Sequence, residues 1–174
     1  IGVICTATMS SRNPLVFGYQ WASLDQISNG RVMLGVGGGW NREEMEDHGT
    51  DPKRRWKVMR ERIEAMKQIW TEDESEYHGE FVDFDPIYQW PKPVQKPHPP
   101  IWIGSWSGVP RAARRVVRHA AGWQASGLHT TVPGEPWHHQ ATTIRGPLPG
   151  PFPDGTTEED DEQMTPEMEE RFDG

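Results

Sequence analysis

The feature that most constrains this chain is an alternation, from Ile1 to about Ser126, of short apolar runs with stretches of helical period. Parallel strands cannot be joined by a tight turn. Each pair needs a crossover of a dozen residues or more, usually a helix, so this alternation is the sequence form of a parallel α/β sheet. Ile1 to Thr8, Arg31 to Val36 and Ile101 to Gly104 are the strand candidates, and Gly122 to Ser126 begins a fourth.

The helices announce themselves by their ends. Asn13 and Pro14 open one that runs to about Ile27, stopped by Asn29-Gly30, with Leu15, Tyr19, Ala22 and Leu24 expected on or near one face. Asn41 stands three residues before Glu44, a spacing that lets it cap a short helix ending near Asp47. Asp51-Pro52 starts another, in which Trp56, Met59, Ile63, Met66, Ile69 and Trp70 recur at three- and four-residue steps. A fourth helix is expected from Pro110 to about Ala121.

Between the second and third strand candidates, Tyr77, Phe81, Val82 and Phe84 around His78-Gly79 read as a β-hairpin. Pro91, Pro93, Pro97, Pro99 and Pro100 then enforce an extended segment, because proline lacks the amide a helix needs and restricts the residue before it.

The character changes after Leu128. Prolines 133, 136, 147, 149, 151 and 153 interrupt any period, and Asp154 to Gly174 holds ten of the 26 acids and one of the 18 bases. The other residues carry 16 acids and 17 bases, so the net charge of −8 belongs to the end of the chain. The chain thus divides in two: residues 1–128 as the folded part and 129–174 as a Pro-rich, then acidic, tail expected to be disordered. Without a basic stripe or a long apolar run, neither nucleic acid nor membrane is an expected partner, and a cytoplasmic setting is expected. The apolar start at Ile1 reads as a truncated edge.

Two glycine-bearing loops come directly after strand candidates. In Gly35-Val36-Gly37-Gly38-Gly39-Trp40 the missing side chains would let backbone amides approach a phosphate or a flat ring. It is not a dinucleotide fingerprint, since Trp40 stands where the third glycine belongs. Gly104-Ser105-Trp106-Ser107-Gly108 lies between a strand and a helix N-terminus, a place suited to an anion, although a capped loop reads the same way. The seven histidines show no metal-ligand spacing, the lone Cys5 reads as a structural thiol, and no metal site is expected.

Taken in order, several segments resemble the luciferase-like monooxygenase superfamily, and especially its deazaflavin-dependent branch. They are Arg12 to Val16, Leu24 to Val32, Leu34 to Met45, Trp70 to Asp73, Tyr77 to Phe81 and Pro91 to Gly104. Departures are Ser105 and Trp106 where a second glycine is usual, and Gly18-Tyr19 in place of Ala-Lys.

The resemblance covers Ile1 to Leu128 and implies an α/β fold that is a fragment of a TIM-type (β/α)8 barrel, about strands 3 to 6, since a whole barrel needs about 250 residues. It implies a cofactor at the C-terminal strand ends, held by Thr8 and Met9, by Gly37, Gly38, Gly39, Trp40 and Asn41, and by Gly104, Ser105, Ser107 and Gly108. That cofactor is expected to be coenzyme F420, with FMN as the alternative. The implied reaction is hydride transfer to or from a small-molecule organic substrate. An oxygen-using FMN monooxygenase is the alternative, and an inactive truncated barrel is a second one. No catalytic acid or base is assigned. A homo-oligomer is expected of the full-length parent.

Overall fold

The computed structural model describes residues 2–5, 9, 12–39, 41–106, 115–116, 118–126 and 142–145. Local chemistry sets the helix ends much as the spacing suggests. The Asn13 side chain accepts from the Leu15 amide at 2.8 Å, Pro14 takes the first helical position, and α1 runs Pro14–Ser28. Asn29 and Gly30 then turn left-handed, at φ 54° and 73°, and the Gly30 amide closes on the Asp25 carbonyl at 2.9 Å.

The buried face of α1 differs from the expected one. Phe17, Gly18, Trp21, Ala22, Asp25 and Ser28 face inward, whereas Tyr19 is 48% and Leu24 39% exposed and Leu15 is only partly buried. The reason lies at Gly18. There α3 (Arg55–Thr71) packs against the helix, and the Trp70 indole donates to the Gly18 carbonyl at 2.9 Å, which holds this side of α1 against α3.

β1 (Gly2–Cys5) and β2 (Met33–Gly37) flank α1 in sequence, and α2 (Arg42–Asp47) comes after β2. The Asp51-Pro52 signal starts a 3-10 turn, Pro52–Arg54, which leads directly into α3. Val58, Met59, Ile63, Ala65, Met66, Ile69 and Trp70 line the buried side of α3, and Trp56 packs at its edge. The hairpin β3 (Glu74–His78) and β4 (Asp83–Tyr88) forms a separate two-stranded sheet. The buried Glu61 carboxylate anchors its turn by accepting from the amides of Phe81 and Val82, at 2.6 and 3.2 Å.

β5 (Ile101–Trp106), β6 (Gly122–Ser126) and β7 (Thr142–Arg145) complete the main sheet, ordered β1-β2-β5-β6-β7. The first four strands are parallel, as the alternation demands. β7 is antiparallel to β6, so four residues of the stretch expected to be disordered pair in the sheet instead. Thr142, Thr143 and Ile144 are good strand formers, and backbone pairing at an edge needs little burial. Between β5 and β6, residues 115–116 and 118–119 are helical, within the stretch expected to be a helix.

Along β2 and β5 the side chains alternate. Leu34, Val36, Ile101 and Ile103 are fully buried in one core with α1 and α3. Met33, Gly35, Gly37, Trp102 and Gly104 therefore belong to the opposite face.

The extended segment between β4 and β5 is stitched to the helices by polar contacts. Gln89 donates to the Leu15 carbonyl at 2.7 Å and Gln26 to the Lys92 carbonyl at 2.8 Å. The buried Asp25 accepts from the Gln95 amide and side chain, at 2.9 and 2.8 Å. Lys92 caps the end of α3 through the Ile69 carbonyl, at 2.7 Å, and the Glu72 carbonyl.

Candidate functional site

In a parallel sheet flanked by helices, the loops leaving the C-terminal strand ends are where a ligand meets free backbone. The register brings the two glycine loops together there: Gly37 of β2 and Gly104 of β5 are directly paired, one step beyond the Val36–Ile103 pair. Both belong to the face turned away from the helices. Two neighbouring strands thus place main chain without side chains side by side at one end of the sheet, where a flat ring or phosphate would meet no Cβ, although Gly37 itself is buried.

One residue pair further down on the same face, Trp102 lies between two glycines in register, Gly35 on β2 and Gly122 on β6. A Cβ on Gly122 would come within 2.8 Å of the Trp102 indole, so that glycine lets the ring lie across its neighbour strand.

The three consecutive glycines have three different reasons. Gly37 belongs to the sheet face turned away from the helices. Gly38 alternates toward the helices, where an added Cβ would meet Trp56 Cζ3 at 2.7 Å. Gly39 turns at φ 83°, a left-handed value that favours glycine. The lack of a side chain at Gly38 makes room for Trp56. Asn41 caps α2, its side-chain oxygen accepting from the Glu44 amide at 3.2 Å, so its described role is local.

Met9 is buried at 2% exposure, and its carbonyl accepts from Arg62 of α3. Burial pulls the Arg62 guanidinium below its ordinary pKa range. Ser105 is described only as β5 backbone, paired with Ala125. Thr8, Trp40, Ser107 and Gly108 lie outside the described residues.

Three residues near the site escape the sequence reading. Trp56 looks like one more core position of α3, yet it reaches Gly38. Arg62 sits between core positions with nothing to mark it. Arg115, in the helical stretch after β5, places its guanidinium 3.8 Å from the Trp56 ring centroid. Among the described residues no group of three or more His, Cys, Asp or Glu is arranged to hold a metal. None of the described helices is long and apolar enough to cross a membrane.

With the parallel strands, their crossover helices and the glycine-lined strand ends in view, comparison with known proteins gives a family. The luciferase-like monooxygenase family model matches residues 1–138, and the chain belongs to that family. It is 46% identical over 111 residues to an uncharacterised protein of Mycobacterium tuberculosis, a match covering 64% of this chain and 39% of that protein. It is 35% identical over 114 residues to an FMNH2-dependent dimethylsulfone monooxygenase of Pseudomonas putida, covering 64% of this chain and 31% of the relative. The fold resembles that of an F420-dependent secondary alcohol dehydrogenase in complex with an F420-acetone adduct, with a TM-score of 0.59 and 22% identity. That likeness covers 70% of this chain and 36% of the other. The family thus includes both FMN- and F420-dependent neighbours, and the chain spans about two fifths or less of the curated relatives it matches.

Proposed function

We propose that this chain forms part of an oxidoreductase that moves a hydride between coenzyme F420 and a small organic substrate. The observation that carries the reading is the Gly37–Gly104 pair, which leaves bare backbone at the C-terminal ends of adjacent parallel strands. The residues there fit a flat deazaflavin. Gly37 and Gly104 put no side chain in its way, and Trp102 lies one residue pair below on the same face.

When bound, the deazaflavin would supply a two-electron carrier whose chemistry is its own; the protein would orient it and the substrate. Arg62 would hold the backbone at Met9, and the β2 and β5 loops would hold the ring and its phosphate. The Trp40 to Met45 segment and the Tyr77 to Phe84 hairpin support the deazaflavin branch by resemblance. We place the parallel strands at about strands 3 to 6 of a TIM-type barrel.

A second reading, an FMN-dependent monooxygenase on the same scaffold, is favoured by the identity to the dimethylsulfone monooxygenase. Titrating the protein with F420 and with FMN, followed by cofactor fluorescence, separates the two. Saturable F420 binding with weak FMN binding is expected. The reverse order would establish the monooxygenase reading, and saturation by neither would remove both.

A further inference from the structure

We propose that Trp56 is a positioning residue that holds the first glycine loop in its ligand-presenting form and ties it to the helical stretch after β5. The ligand part of this inference rests on the cofactor reading above; the loop-holding part does not.

Three contacts meet on this indole. From one side Gly38 comes so close that a Cβ would lie 2.7, 2.8 and 2.9 Å from Cζ3, Cε3 and Cη2. Real Cβ atoms essentially never approach that closely, so the loop's backbone rests on the ring itself. From the next crossover, Arg115 sits 3.8 Å from the ring centroid, a cation–π distance. From α3 itself, Arg55 lies 5.5 Å away. Trp56 therefore touches both the loop leaving β2 and the helical stretch beyond β5, and those are the two strands whose ends carry Gly37 and Gly104.

The geometry divides the labour within the loop. Gly37 faces the proposed ligand, and the very next residue faces Trp56. A shift of the indole would be transmitted through one peptide unit to the bare backbone at Gly37. Trp56 is only partly buried and lies at the rim of the core, so losing it should loosen the loop more than the sheet beneath.

Hydrogen exchange and cofactor titration on the same variants test this. Trp56→Leu should speed amide exchange over residues 37–41 at least about tenfold while Leu34, Val36 and Ile103 keep their protection. It should also weaken cofactor binding by a similar factor and alter the bound cofactor's spectrum, with Trp56→Phe restoring most of both. Gly38→Ala should be damaging in the natural background and nearly silent beside Trp56→Leu, because the collision partner is gone. Uniform loss of protection, unchanged loop exchange, or equal effects of Gly38→Ala in both backgrounds would each overturn the proposal. If the unmodified protein binds neither cofactor while Trp56→Leu still loosens only the loop, the cofactor reading falls and the loop-holding role stands.

Discussion

At the scale of single residues, the groups most important to this fold are those whose partners lie far away in sequence. The caps made by Asn13, Asn41 and Asp51 are legible because each bonds an amide two or three residues on. Asp25, Glu61 and Lys92 give no such signal, since their partners are 20 to 70 residues distant. Lys92→Met should destabilise the protein by about 1–3 kcal/mol, because the carbonyls of Ile69 and Glu72 lose a buried donor. Urea unfolding would show it as a lower midpoint, and an unchanged midpoint would mean that water replaces the ammonium. The exposed His78 behaves differently. Its hydrogen bond to Asp83 at 2.7 Å, aided by the charges of Asp83, Glu76 and Asp85, raises its pKa above the ordinary 6.5. The folded state then holds the proton more tightly than the unfolded chain. The pair's contribution is complete below the unfolded pKa and disappears as pH rises through the folded value. An NMR titration should place the His78 midpoint above 6.5, and Asp83→Asn should bring it back down.

At the scale of elements, type and order are readable and orientation is not. Helical period places α1 and α3 within a few residues, but the buried side of α1 is not the one that hydrophobicity points to. Val16, Tyr19, Leu24 and Ile27 are apolar and exposed, and the true interface turns on Gly18, a residue that hydrophobicity ignores. A side chain there would meet Met66, Trp70 and Ile69 only at 3.6 to 3.8 Å, ordinary contact distances. Gly18→Ala should therefore stabilise the protein by about 0.5–1 kcal/mol through helix propensity, visible as a higher melting temperature. Gly79 in the hairpin turn is the opposite case. An added Cβ would lie 2.5 Å from a Glu61 carboxylate oxygen and 2.7 Å from the Tyr77 ring. Gly79→Ala should thus cost about 1–3 kcal/mol by displacing the buried carboxylate from the amides of Phe81 and Val82. A wild-type melting curve for this variant would show that the turn has slack.

At the scale of the whole molecule, the parallel order β1-β2-β5-β6 grows out of the alternation alone, whereas antiparallel β7 lies among prolines where no pattern marks a strand. The candidate site is legible as two glycine loops; their direct pairing emerges only from the register, and the Trp56 contact only from packing. Gly37→Val should weaken cofactor binding at least about tenfold and leave the melting temperature nearly unchanged, since Val suits a strand and Gly37 faces the proposed ligand. Calorimetric titration alongside thermal melting checks this, and lost stability with intact affinity would make Gly37 structural. The segment between β4 and β5 has a further meaning for how the molecule assembles. Its bonds to Leu15, Asp25 and Val32 join residues 74, 70 and 63 positions apart. Loops that long must close before any of those bonds can form, which costs entropy early and slows the step. α1 and β2 can meet as soon as both exist, but Asp25 stays without Gln95 until the intervening hairpin has been made. During synthesis the Asp25 carboxylate therefore stays in water until the chain has reached Gln95.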